Sequence, residues 1–316
     1  MKKRKRPAPL EKEVDMEKDE AIGPNAQCPL CGVGGCQFYT RHNRAPLKLY
    51  RCQGCGLFFV YPHNSQIPSM EYDRRRPRFD QFWRGPEAQA AFDRWRNWEN
   101  EELASLILME AKGGRLLEIG FGEGPLTEHL LPSVAEYWGI EPDEGSYQRT
   151  MSRMQLDATR SHCLQAEALD KTEPFANLSE YFDAVAMVSV FEHISNPGRV
   201  LESCHRLLMP GGRLFLSTPD STHFKWILKI RRMAGMESWS RYHISFFNQH
   251  NLEMAFRTSG FTVKRMATRP LINALSARYF GALTRNRLID LAMRGFSGSG
   301  LDRFLRIQCL VYVLEK

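Results

Sequence analysis

The sequence predicts an α/β fold, an open doubly wound sheet with helices on both faces, preceded by a small β unit bounded by cysteines. Three observations carry this. Residues 115–124 read RLLEIGFGEG, a short apolar strand followed at once by Gly120, Gly122 and Gly124, with Pro125 then opening a helix. Downstream, strand-length apolar runs alternate with helix-length amphipathic segments, the pattern of parallel strands joined by crossover helices. Upstream, Cys28-Pro29-Leu30-Cys31 and Cys52-Gln53-Gly54-Cys55 form two Cys-x-x-Cys pairs 20 residues apart.

At 316 residues with 43% apolar composition, the chain suits one large domain plus an appendage. No run of 18 apolar residues marks a membrane span, and the start of the chain lacks a secretory apolar segment, so a cytoplasmic location is expected. The net charge of +7 is unevenly spread. Residues 2–6 carry five positive charges and residues 11–20 six acids against two lysines, which predicts a solvated, disordered tail over 1–25. Residues 221–290 hold twelve Lys and Arg against Glu237, Glu253 and Asp290, an excess that favours an anionic small-molecule substrate or a membrane surface.

The first structured unit spans 26–62. Four thiolates from Cys28, Cys31, Cys52 and Cys55 suit the tetrahedral preference of Zn²⁺, and the glycine after each pair allows a tight knuckle turn. Short strands at 37–39, 47–50 and 57–61 complete a zinc ribbon. Fewer than 40 residues cannot bury much core, so structural zinc would supply most of the folding free energy, with Phe58, Phe59 and Tyr61 as a docking face. Cys36 has no partner at the right spacing, and Cys163, Cys204 and Cys309 are read as small core residues.

A linker and N-terminal helical cap occupy 63–112, the helix running from Pro86 to Ala111 with Phe92, Trp95, Leu103, Leu106 and Ile107 at helical spacing. The large domain takes 113–316. After the glycine turn, a second strand, 137–140, ends on Glu141, 21 residues beyond Gly120, where a carboxylate can accept both ribose hydroxyls of an adenosine. A helix covers 143–157, and Gln165-Ala166-Glu167-Ala168 follows a short third strand. The fourth strand is 182–188, followed by the loop Ser189-Val190-Phe191-Glu192-His193. Asn196 caps a helix to Met209, and a Pro-Gly-Gly turn leads into strand five, 213–218. An insertion over 219–250 contains the basic helix 223–233, with Lys225, Lys229 and Arg232 on one face and Trp226, Ile230 and Met233 on another. It reads as a lid packing its apolar side on the domain, or as a surface for anionic lipid. Asn248 or Asn251 caps the next helix, 261–265 is strand six, 270–304 a helical insertion, and 306–314 the last strand.

The glycine turn with Glu118 before it, Glu141, the acidic segment at 165–168, the loop after strand four and the Pro-Gly-Gly turn occur in the order found in class I methyltransferases that use S-adenosylmethionine (SAM), which the chain resembles over about 26–265. The resemblance implies a Rossmann-like seven-stranded sheet of order 3-2-1-4-5-7-6 with the last strand antiparallel. It also implies cofactor contacts. Glu118, Gly120, Phe121, Gly122 and Gly124 would lie on the methionine side, Glu141 with Pro142 on the ribose, Glu167 with Ala168 at the adenine, and Val188 with Ser189 along the floor. Glu167 also reads as an exposed capping acid.

For the chemistry, His193 is the first candidate for general base, Glu192 its alternative or orienting partner, and His243 a third group that reaches the same cleft or only packs. Quinone-biosynthesis O-methyltransferases hold a divalent ion in a similar loop, but Ser189 stands where an acid would be required. The ribbon joined to this core resembles bacterial enzymes that methylate sugars, nucleotide-linked sugars, glycolipids and secondary metabolites at oxygen or carbon. An RNA methyltransferase using the ribbon is the competing class, disfavoured because the ribbon is not strongly basic and no amino-methylating Asn-Pro-Pro-Tyr motif follows strand four. A SAM-binding scaffold without activity is the third.

Overall fold

The computed structural model describes residues 26–43, 45–61, 86–111, 113–233, 238–240, 242–270 and 308–316. The tail expected over 1–25, the connector 63–85, nearly all of the insertion 270–304 and the side chains of Phe92 and Trp95 lie outside the described residues.

Two sheets organise the chain. The larger contains β4 (Arg115–Ile119), β5 (Glu136–Ile140), β6 (Ser161–His162), β7 (Phe182–Val188), β8 (Leu208–Pro219), β10 (Thr262–Pro270) and β11 (Gln308–Glu315). Its spatial order is β10-β11-β8-β7-β4-β5-β6, with β11 antiparallel to both neighbours. That is 3-2-1-4-5-7-6 in the order in which its strands occur, as the sequence implied. The strand alternation explains the layers. Leu117, Val185, Met187, Leu214, Leu216 and Tyr312 face one side, under α4 (Pro197–Leu207) and α6 (Gln249–Thr258). Leu116, Ala184, Ala186, Phe215, Val311 and Val313 face the other, where Leu103, Ala104 and Ile107 of α1 (Pro86–Ala111) cover them. Of the remaining helices, α2 (Thr127–Leu130) follows the glycine turn and α3 (Glu144–Met154) follows β5, capped by the Asp143 side chain on the Ser146 amide. No helix among the described residues is long and apolar enough to cross a membrane.

The smaller sheet has the order β1-β2-β3-β9, from β1 (Gln37–Arg41), β2 (Lys48–Arg51), β3 (Phe58–Val60) and β9 (Ser245–Phe246). Its fourth strand thus comes from the large domain, pairing Phe58 with Phe246 and Phe59 with Ser245. The helix α5 (Phe224–Met233) closes this sheet, burying Phe224 and Leu228 against Leu49, Phe58, Val60, Trp239 and Phe246. Arg232 ties it down further through Ser238 Oγ, Thr40 Oγ1 and the Arg41 carbonyl.

Several sequence readings are corrected. Trp226 and Met233 do not pack: they are 65% and 71% exposed, because the contact stripe of α5 runs through Phe224 and Leu228 instead. Cys163 is exposed rather than core, since β6 is only two residues long and ends before it. The helix from Asn196 stops at Leu207, two residues early, where β8 begins pairing. Asn248 and Asn251 both act in the cap, each side chain accepting from the other's amide.

Candidate functional site

The cysteine cluster is built by two turns of the same kind. Gly32 and Gly56 take φ of +73° and +75°, and their amides donate to the Cys28 and Cys52 carbonyls at 2.9 and 3.1 Å. The turns bring the sulfurs of Cys28, Cys31, Cys52 and Cys55 within 4.8 Å of one another, with Cys28–Cys55 and Cys31–Cys52 at 3.6 Å. A tetrahedron of sulfurs about 2.3 Å from a Zn²⁺ has edges of about 3.8 Å, so the four fit that ion. Hydrogen bonding from Cys55 lowers the Cys28 thiol to about 5 while burial raises Cys31 to about 11. Cys36 donates to the Val33 carbonyl at 3.4 Å, and burial, with Cys52 and Cys28 beside it, pushes its thiol up to about 12.

The glycine turn leaves β4 and crosses the end of β5, the Gly120 amide donating to the Ile140 carbonyl at 2.7 Å. Its three glycines, all with positive φ, do different work. A Cβ at Gly120 would lie 2.5 Å from Val190 Cγ2, so the glycine turn and the loop after β7 touch. A Cβ at Gly124 would meet Met154 and Thr150 at 2.8–2.9 Å, which makes that glycine a requirement of packing on α3. Beside Gly122 there is open space, with nothing within 4 Å.

Glu141 joins the turn to β5. Its carboxylate accepts from the Gly122 amide at 2.8 Å and the Asp143 amide at 2.9 Å, and burial raises its pKa. Pro142 beside it is exposed, and Phe121 is buried against Gly139 and Tyr147. Two assigned carboxylates are committed elsewhere. Glu118 sits behind the sheet, on the Leu116 side, accepting from Thr127 Oγ1 at 2.9 Å and Tyr137 OH at 2.8 Å, and burial pushes it up to about 7. Glu167 accepts from the Ser195 amide and hydroxyl, both at 2.6 Å, while Ala168 is half-buried. The exposed polar side chain of this segment is Gln165, which the emphasis on acidic residues missed and which its place at the strand end could have flagged.

After β7, Val188 is half-buried and Ser189 exposed with φ +55°, its amide held by the Ser217 carbonyl. One short helical turn then presents Glu192 and His193. His193 Nδ1 lies 2.8 Å from the Tyr242 carbonyl; a carbonyl only accepts, so Nδ1 carries the proton and the neutral ring keeps its lone pair on Nε2. His243 stands edge-on to His193, ring centroids 5.0 Å apart. Glu192 is buried, accepts from Thr218 Oγ1 at 3.0 Å, and has its pKa raised by burial. One ligand atom each from Glu192, His193 and His243 lies within 4.8 Å of the others, so this trio can relay a proton or hold a divalent cation, His243 making up the donor that Ser189 lacks.

A glycine turn, a buried carboxylate one strand over and a histidine-bearing loop touching the turn, on a 3-2-1-4-5-7-6 sheet, define the class I SAM-dependent methyltransferases. The chain belongs to the methyltransferase domain family, which matches residues 92–265. Among curated relatives, the mitochondrial ubiquinone biosynthesis O-methyltransferase of Rattus norvegicus is 28% identical over 163 residues, covering 49% of this chain and 46% of the relative. That of Idiomarina loihiensis is 28% identical over 131 residues, 40% of this chain and 51% of the relative. The chain thus spans about half the length of these relatives. Among solved structures, a SAM-dependent methyltransferase from Archaeoglobus fulgidus aligns with a TM-score of 0.49 at 15% identity, covering 75% of this chain and 98% of that one.

Two outcomes follow from this geometry. Gly124→Ala lowers stability more than Gly122→Ala in denaturant titration, by about 1–3 kcal/mol, because both pay similar φ strain but only the former is overpacked. Glu118 has a folded pKa above its unfolded one, so the folded state holds the extra proton and stability falls as pH rises from about 4.5 to about 7. Stability of the wild type against Glu118→Gln, measured from pH 4 to 8, should fall more steeply in the wild type, the difference amounting to about 3 kcal/mol, while the part contributed by buried Glu141 and Glu192 persists in both.

Proposed function

We propose that this protein transfers a methyl group from SAM to an oxygen or carbon of a small anionic acceptor of the sugar, nucleotide-sugar or glycolipid kind. The observation that carries the reading is His193: its Nε2 is the basic nitrogen, fixed by the Tyr242 carbonyl, on the loop that touches the glycine turn at Val190 and Gly120. The residues present fit the cofactor. Open space beside Gly122 admits a ligand against bare backbone, and Glu141 offers a buried acceptor for ribose hydroxyls, with Pro142 at its side. Gly120, Phe121 and Gly124 shape the methionine side, Gln165 and Ala168 the adenine end, and Val188 and Ser189 the floor. Glu118 and Glu167 support this pocket from behind.

SAM supplies an electrophilic methyl on a sulfonium leaving group. With SAM held there, the methyl would pass to the acceptor oxygen while sulfur leaves with the carbon–sulfur electron pair, and His193 Nε2 stands as the group to take the hydroxyl proton. Buried Glu192 fixes the loop through Thr218, and His243 flanks the imidazole and steadies the cation that forms. Chemistry of this kind needs little beyond position, a base and the exclusion of water. A second reading gives the Glu192, His193 and His243 trio a divalent cation that lowers the acceptor hydroxyl's pKa.

In calorimetry, zinc-replete protein should bind S-adenosylhomocysteine, and Glu141→Ala should abolish this; absence of binding by the folded wild type sinks the assignment. His193→Ala should leave that affinity within about twofold while cutting turnover by about 10²–10⁴-fold. Turnover lost to a chelator while the cysteine-bound metal stays in place would favour the second reading. The cysteine cluster should hold one zinc per chain, and Cys52→Ser should lose it and lower the thermal midpoint; unchanged metal content would exclude a zinc site.

A further inference from the structure

A cavity of about 450 Å³ lies where the small sheet, the start of α5 and the start of α6 meet. Its ionisable wall, apart from Cys55, consists of Arg51 from β2, His223 and Lys225 at the head of α5, and His250 in the first turn of α6. Among the described residues no carboxylate lines it. Among the described residues the Arg51 Nε is buried without a hydrogen-bond partner, and its guanidinium lies 5.8 Å over the Phe58 ring. The Lys225 ammonium lies over the aromatic faces of Tyr39 and Phe58 at about 6 Å. Both helices are ten residues long and turn their positive ends to the cavity. Basic groups brought together without acids repel one another, and a bound anion removes that cost.

The cavity also sits at a useful distance from the chemistry. Phe224 lines it and stacks on Phe246 at 4.2 Å, and Phe246 in turn touches the His243 ring at 6.3 Å. Two stacked rings, Phe224 and Phe246, therefore lie between it and the histidine pair. We infer that this cavity binds a phosphate or diphosphate group of the methyl acceptor, anchoring the substrate while its remainder reaches His193. The inference rests on the methyltransferase reading above and gives the small sheet a role in substrate binding, through Arg51. The guanidinium pairs with phosphate oxygens in a bidentate fork, Lys225 adds charge, His250 offers a ring nitrogen, and the exposed Trp226 lines the same wall. Because Phe224 and Phe246 stand between the cavity and the histidines, an acceptor with its anionic group several bonds from the reacting hydroxyl fits better than one in which the two are adjacent.

The test uses the full zinc-loaded chain and inorganic pyrophosphate, with S-adenosylhomocysteine titrated in parallel. The wild type should bind pyrophosphate in a salt-sensitive manner. Arg51→Gln should weaken this by about tenfold or more, and Lys225→Gln and His250→Gln by about threefold to tenfold each, all without changing affinity for S-adenosylhomocysteine. Zinc content of Arg51→Gln is measured as well, since the arginine shares the cavity wall with Cys55. Loss of zinc in that variant, with undiminished pyrophosphate binding by Lys225→Gln and His250→Gln, overturns the inference. So does a wild type that binds S-adenosylhomocysteine but no pyrophosphate. Failure to bind S-adenosylhomocysteine is a different result and removes the methyltransferase reading itself. A nucleoside diphosphate binding about tenfold tighter than pyrophosphate identifies a nucleotide-linked acceptor; equal affinities identify a simple phosphorylated one.

Discussion

The pairing of β3 with β9 is the constraint on which the site depends. Only two residue pairs are involved, Phe58 with Phe246 and Phe59 with Ser245, yet they fix the course of residues 242–247. That segment supplies the carbonyl that orients His193, the His243 ring beside it, and the Ile244 amide that holds the Glu192 carbonyl at 2.8 Å. A β-unit too small to form a core alone is completed by a strand from the large domain, and the same strand places the loop that carries Glu192 and His193. Burial of Phe58, Phe246, Phe224 and Trp239 in one cluster then makes the arrangement cooperative.

The cofactor side is organised by a different economy. Glu141 holds the glycine turn by its middle residue, so the amide most exposed to a ligand is already aligned. Gly120 and Gly124 are dictated by contacts with Val190 and α3, and only Gly122 is left for close approach. Glu118 shows how fully a motif residue can be absorbed by the scaffold: it lies on the α1 and α2 side of the sheet, two hydroxyl donors holding it there.

Much of this was legible in the sequence. Strand positions 115–119 and 182–188, the helix 86–111 and the two cysteine turns follow from local rules, namely apolar runs, glycine placement and capping residues. Side-chain commitments were harder to read. Glu167 and Glu118 are acids near a motif, but whether they face a ligand depends on strand parity and on donors such as Ser195 and Tyr137 that arrive from distant positions. The face of α5 was misassigned for a related reason. Trp226 and Met233 fall on a plausible apolar stripe, and only the small sheet beneath the helix selects Phe224 and Leu228 instead. Arg51 was invisible as a site residue because its neighbours across the cavity lie some 170 to 200 positions away in the chain.

The start of α4 bears directly on one knuckle: the Gly198 amide donates to the Pro29 carbonyl at 3.3 Å, and a Cβ there would come within 2.8 Å of the Leu30 carbonyl. Together with the shared strand, this makes the seam between the two units a poor place for recombination. A ribbon borrowed from another protein would have to reproduce both contacts to seat on this core.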